Sequence, residues 1–212
     1  MGRMASVLIT GFEPFDGAAE NPSALIALRF NGSCIAGHEV IGAVLPCVFR
    51  VSIRKLKQLM RQHEPALVIC LGQAGGRAAI TPERVAINLD DARIADNAGA
   101  QPMDRPIVRG GPAAYWSTLP IKAMVQTLRA AGVPAEISQT AGTFVCNHVF
   151  YGLMHELRRQ RRVRGGFIHV PGLPSQGKPA MSLARMEEGI RLAVATAIQV
   201  RRDSKLPGGS LH

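Results

Sequence analysis

The chain has 212 residues, 47% apolar and 19% charged, and its 25 Lys and Arg against 15 Asp and Glu leave a net charge of +10. This length buries a sizeable core without staples and fits one domain, which excludes a disordered chain, a collagen-like repeat and a small disulfide scaffold. A pI near 10.3 raises nucleic-acid binding, but the densest basic run (Arg158, Arg159, Arg161, Arg162, Arg164) closes a predicted helix, where cations complement the dipole.

One Trp and two Tyr leave no aromatics to interleave with that basic run, so no nucleic-acid partner is expected. The cysteines at 34, 47, 70 and 146 form no CxxC pair and no zinc-spaced cluster, so no metal is expected. Residues 1–10 hold too short an apolar stretch for a secretory leader. No run approaches the ~20 apolar residues that span a bilayer. The expectation is a soluble, reduced, cytoplasmic protein without a membrane partner.

In chain order, residues 7–10 read as a strand stopped by Gly11. Pro22–Phe30 reads as a helix, with Asn21 as its cap and Pro22 in its first position. A strand follows over 40–45, then a helix over 52–63 and a buried strand over 66–71. Residues 85–89 read as a strand. The stretch 90–117, rich in Gly, Pro, Asp and Asn, reads as one long functional or covering loop. Helices are predicted over 119–131, 146–160 and 183–201, and strands over 135–138 and 166–170. A single domain over 1–204 and a flexible tail over 205–212 complete the reading. The alternation predicts an α/β domain with helices on both faces of a mainly parallel sheet. Ligand sites in such sheets form at the carboxyl ends of the strands, which points to the loops 11–21, 72–83, 139–146 and 170–176.

The glycine-rich 72–77 loop follows a strand, but it is neither GxGxxG nor a P-loop. It is the basis of an alternative reading, a nucleotide- or nucleoside-binding protein. Cys146 falls where a loop meets a helix. The positive helix end lowers a thiol's pKa, and the free N–H groups there hold an oxyanion. Cys34, Cys47 and Cys70 read as packing residues. His148 lies about 200° around the helix from Cys146 and reads as a surface or capping residue. His169 ends an apolar strand at the carboxyl edge and is the better base. His38, His63, His155 and His212 read as bystanders. Spacing alone leaves Glu83, Glu13, Asp16, Asp90 and Asp91 as candidates for the carboxylate that orients the base.

Seven segments carry a resemblance. They are Ile9-Thr-Gly-Phe-Glu-Pro-Phe15, Asn21-Pro-Ser23, Gly72-Gln-Ala-Gly-Gly-Arg77, Glu83-Arg-Val-Ala-Ile-Asn88, Asp96-Asn97, Ala141-Gly-Thr-Phe-Val-Cys-Asn147 and His169-Val-Pro171. Together, and in this order, they resemble the pyroglutamyl-peptidase I (pyrrolidone-carboxylate peptidase) family of cysteine peptidases from residue 7 to about 200. The resemblance implies a three-layer α/β/α sandwich on a mixed, mainly parallel sheet. It also implies removal of an N-terminal pyroglutamyl residue from small peptides by a Cys–His–Glu triad, without cofactor or metal. Carried onto this chain, Cys146 is the nucleophile, His169 the general base and Glu83 the orienting carboxylate. Phe12, Phe15, Phe144 and Val145 line an apolar slot for the lactam, with Asn21, Gln73 and Ile94 nearby and Arg93 near the oxyanion. A homotetramer is also implied. Gly172 departs from the pattern, since relatives often carry an aromatic residue there.

Overall fold

The computed structural model describes residues 5–160 and 162–209. Outside them lie the first four residues of the N-terminal stretch, Arg161 of the basic run, and 210–212 of the predicted tail, His212 included. Apolar runs buried on both sides make the central strands. β1 (Ser6–Phe12) is buried at every position, and β4 (Leu67–Gln73) and β8 (Arg164–Val170) at all but one. Such doubly buried strands suit a parallel sheet covered on both faces. β1 lies between β3 (His38–Leu45) and β4, and β4 pairs with β8, all in parallel. Two short antiparallel edges, β2 (Cys34–Ile35) and β5 (Thr81–Pro82), complete a mixed sheet of order β2-β3-β1-β4-β8-β5.

Among the described residues, α1 (Pro22–Phe30), α3 (Ile121–Ala130) and α5 (Leu183–Gln199) cover one face, over Ile9, Ile69 and Ile168. α2 (Val51–His63) and α4 (Val145–Leu157) cover the other, over Leu8, Val68 and Phe167. Period-2 alternation along each strand sends neighbours to opposite faces and so builds two separate cores. The three-layer expectation holds. α1 starts as read: Asn21 Oδ1 accepts from the Ser23 N–H at 3.0 Å, and Pro22 needs no partner there.

Some boundaries and elements differ. The loop read over 90–117 contains β7 (Ala114–Trp116), which pairs antiparallel with β6 (Val85–Ile87) as a separate ribbon. Residues 135–138 form no strand. They run parallel beside 80–84, but Pro82 has no N–H, so the ladder breaks into two single bridges, Ile80 to Ala135 and Glu83 to Ser138. Cys34 is exposed on its two-residue edge strand, which corrects its reading as a packing residue, whereas Cys47 and Cys70 are buried. In the basic run, Arg158 donates to the His155 carbonyl at 2.6 Å and Arg164 to the Val200 carbonyl at 3.0 Å, so both serve helix ends. Within the predicted tail, the Gly208 carbonyl accepts from Arg84 and lies against the domain.

Gly11 lets α1 press onto β1, because a Cβ there would collide with the Ser23 carbonyl, a backbone atom that cannot swing aside. Gly11→Ala is therefore expected to cost on the order of 2 kcal/mol or more, read as a lower urea midpoint with an unchanged m-value.

Candidate active site

The nucleophile candidate sits in the first turn of α4, over the end of β4. A Cβ placed on Gly72 would stand 2.8 Å from Cys146 Sγ and 2.8 Å from the Phe167 ring. The sulfur thus occupies the space of a missing side chain. Gly72 is the register partner of His169 on β8. Partners in adjacent strands project to the same face, so the imidazole lies beside that space. Phe167, two residues earlier on the same face, packs on the His169 ring with centroids 4.9 Å apart.

The carboxylate that meets His169 is Glu83. His169 Nδ1 meets Glu83 Oε1 at 2.7 Å, and both side chains are buried. Nδ1–H donates to the carboxylate, which leaves Nε2 with its lone pair for the thiol. β5 sets this geometry, since Thr81 pairs with His169 and the Glu83 N–H donates to the Phe167 carbonyl at 2.9 Å. Two of the competing carboxylates are engaged elsewhere. Glu13 Oε1 accepts from the Cys47 N–H and from Asn97, and Asp90 holds His148.

Sequence reasoning missed the residue that balances Glu83. Arg77 Nη1 donates to Glu83 Oε1 at 2.8 Å and to Thr81 Oγ1 at 2.7 Å, and Nη2 donates to the Thr140 carbonyl at 3.0 Å. The cation of the 72–77 loop therefore serves a buried carboxylate. Ala74 and Arg77 also spend their N–H groups on the Val170 and Ala74 carbonyls. These commitments weigh against that loop as a phosphate cradle. The only legible signal was an arginine six residues before the glutamate, and nothing in that spacing demanded contact.

Two neighbours hold the nucleophile's turn in place. Asn147 Nδ2 donates to the Ile87 and Leu89 carbonyls, and its Oδ1 accepts from the Ile87 N–H. His148 is buried, not at the surface as read. Its Nδ1 meets Asp90 Oδ2 at 2.8 Å, and its Nε2 accepts from the Arg50 N–H at 2.8 Å. Accepting at Nε2 makes it a neutral imidazole that donates through Nδ1. Pairing buried groups in this way avoids the cost of leaving any of them unsatisfied. Phe144, the residue before α4, has no side-chain group to cap the first turn. The N–H groups around Cys146 are thus left without a side-chain partner, as an oxyanion site requires.

The predicted slot residues divide into three groups. Phe15 and Phe144 pack together at 5.9 Å, and Phe49, which sequence reasoning missed, stands edge-on to Phe144 at 5.4 Å. Phe12 and Val145 are buried behind them, with Phe12 against Phe167. Asn21 is also buried, with its groups committed to Ser23 and to the Glu13 carbonyl. Gln73 and Arg93 line a cleft of about 730 Å³ together with Phe15. Ile94, next to Arg93, is half-buried. Among the described residues, no group of three or more His, Cys, Asp or Glu is placed to hold a metal ion.

Burial pushes the Cys146 thiol up, against the lowering expected from the helix end, because desolvation disfavours the charged thiolate. Nearby Cys47 and Glu83 act in the same direction, and Arg77 opposes them. A thiol pushed up calls for a neighbouring base to take its proton, and the His169 imidazole lies beside the sulfur's space. Arg77→Gln is expected to slow alkylation of Cys146 by iodoacetamide and to move its pH dependence upward, with Arg77→Lys restoring part of the rate. Burial also pushes Cys47 and Cys70 from 9.0 up to about 12. A raised acid pKa means that the folded state holds these protons more tightly than the unfolded chain does. Their contribution is intact below about pH 9 and is lost as pH rises from about 9 towards about 12. The urea midpoint is expected to fall across that window, and Cys70→Val to flatten the fall.

The pyroglutamyl peptidase family profile matches residues 5–200. A pyrrolidone-carboxylate peptidase of Klebsiella pneumoniae (strain 342) is 56% identical over 99% of this chain and 100% of its own. The crystal structure of the pyroglutamyl peptidase I from Bacillus amyloliquefaciens superposes with a TM-score of 0.94 at 46% identity, covering 97% of this chain and all of that one. The pyrrolidone carboxyl peptidase from Thermococcus litoralis gives 0.93 at 41% identity, over 96% of this chain and all of that one. With a profile match over nearly its whole length and relatives of this identity, the chain belongs to the pyroglutamyl peptidase family.

Proposed function

We propose that this protein is a cysteine exopeptidase that removes an N-terminal pyroglutamyl residue from peptides, with Cys146 as nucleophile, His169 as base and Glu83 as orienting carboxylate. One observation carries the assignment of roles: the 2.7 Å contact between His169 Nδ1 and buried Glu83, on a strand whose register partner, Gly72, makes room for the Cys146 sulfur. His169 takes the thiol proton as the sulfur attacks the pyroglutamyl carbonyl. The oxyanion rests on N–H groups at the start of α4. His169 then gives the proton to the leaving amine, and water hydrolyses the thioester in a second, mirrored step.

The slot for the lactam is formed by Phe15, Phe144 and Phe49, over Phe12 and Val145, with Gln73 to pair the ring's polar groups and Arg93 at the rim. Asn21 supports it by fixing the start of α1. All four cysteines are free, as a thiol enzyme of a reducing compartment requires, and the cytoplasm is the compartment inferred. Among the described residues, no helix is long and apolar enough to cross a membrane. A homotetramer is inferred from the family likeness; exposed Trp116 and Met103 are apolar surface available to such contacts.

The test is release of a fluorogenic amine from its pyroglutamyl amide under reducing conditions. Wild type is expected to release it, and Cys146→Ser and His169→Ala each to lose at least 10³-fold in kcat/KM. The matching prolyl amide, which lacks the ring carbonyl, is expected to be cleaved at least 10³-fold less efficiently, because it leaves the site's lactam partners unpaired. Comparable cleavage of both amides would overturn the lactam slot.

A further inference from the structure

The cleft beyond Gln73 is larger than a lactam ring needs. Its volume of about 730 Å³ lies in the range that accepts a whole drug-sized ligand. Of the aromatic group, only Phe15 borders it. The rest of the wall is mixed, with the polar residues Asp16, Glu20, Gln73, Arg93, Ser175 and Gln176 set among small glycines and alanines.

The chemistry sets which way a substrate runs through it. His169 protonates the leaving amine, so that amine lies on the β8 side of the sulfur. The chain leaving β8 passes through Pro171 and Gly172 into a 3-10 turn at Pro174–Gln176. The leaving peptide therefore meets this segment first. There, Gln176 Oε1 accepts from the Leu173 N–H at 2.8 Å and from Gln73 Nε2 at 2.9 Å, while Gln176 Nε2 donates to the Glu20 carbonyl at 3.0 Å. One side chain ties the exits of β4 and β8 to the 13–21 loop. A Cβ on Gly172 would stand 3.5 Å from both Gln73 Nε2 and Gln176 Oε1, so the glycine keeps the space beside this pair open.

We propose that Gln176, held in place by Gln73, forms a subsite for the peptide backbone of the residues that follow pyroglutamate. The proposal rests on the peptidase reading above. Primary amides offer a donor and an acceptor but no charge, which matches a peptide group. The second N–H of Gln176 Nε2 is left for it, while Gln73 stays with the lactam. Recognition through the backbone leaves the side chain after pyroglutamate largely unselected.

The experiment compares two substrates, a pyroglutamyl arylamide and a pyroglutamyl-alanyl-alanine amide, in wild type, Gln176→Ala and Gln176→Glu. Only the second substrate has peptide groups beyond the scissile bond. Gln176→Ala is expected to raise KM for the peptide amide about three- to tenfold more than for the arylamide, the worth of one hydrogen bond. Gln176→Glu is expected to shift preference about fivefold towards Lys over Glu after pyroglutamate, a gain that misfolding cannot produce. Equal effects on both substrates, or no effect on either, would overturn the subsite. A wild type that cleaves neither substrate overturns the peptidase reading itself, and the subsite with it.

Discussion

Glu83 has no solvent exposure, and a carboxylate in that position must find its counter-charge inside the protein. Arg77 supplies it at Oε1, where His169 also donates through Nδ1. Much of the candidate site follows from this need. β5 exists as a stub of two residues because Thr81 and Pro82 bring Glu83 alongside β8. The loop after β4 turns back so that Arg77 reaches both Glu83 and the Thr140 carbonyl, in the segment that leads into α4. The pair that orients the imidazole is thereby tied to the helix that carries the thiol.

The nucleophile is positioned by what surrounds it more than by its own contacts. Asn147 fastens the first turn of α4 to β6. His148 joins it to Asp90 and to the start of α2, where Arg50 has a positive φ of 62°. Phe49 packs edge-on against both His148 and Phe144, so one buried cluster fixes the helix and the wall of the ring slot together. Such preorganisation lets donors point at an oxyanion before any substrate arrives. The uncapped first turn is consistent with this, since a hydroxyl or carboxylate cap would occupy those N–H groups.

Function is spread along the carboxyl edge of the sheet. Phe15 follows β1, Phe49 follows β3 and Phe144 precedes α4, while the ends of β4 and β8 carry Gln73 and His169. The inner part suits a small neutral lactam, and the outer cleft suits a chain with no fixed side chain. On the proposed reading both parts take neutral polar groups, and the cleft wall carries Asp16 and Glu20 beside Arg93, so neither draws on the +10 net charge. Of the basic run, Arg158 and Arg164 are explained by helix ends, and the structure gives no reason for Arg159 and Arg162.

The sequence by itself determined the alternation of strands and helices, the cap at Asn21, the thiol at a helix start and the histidine at a strand end. Those features are local: periodicity, turn residues and helix ends act within a few positions. Only the tertiary structure decided which carboxylate meets His169, because Glu83 lies 86 positions away and four other acids competed. It also decided that Arg77 balances that carboxylate and that His148 is a buried anchor. The pairing of β7 with β6, the ladder broken at Pro82 and the exposure of Cys34 came from the same source. Each of these depends on which strand lies beside which, and a chain's order does not state its neighbours in space. Gly72 shows the difference most plainly. In the sequence it ends an apolar run; in the fold its missing side chain makes the space for the sulfur.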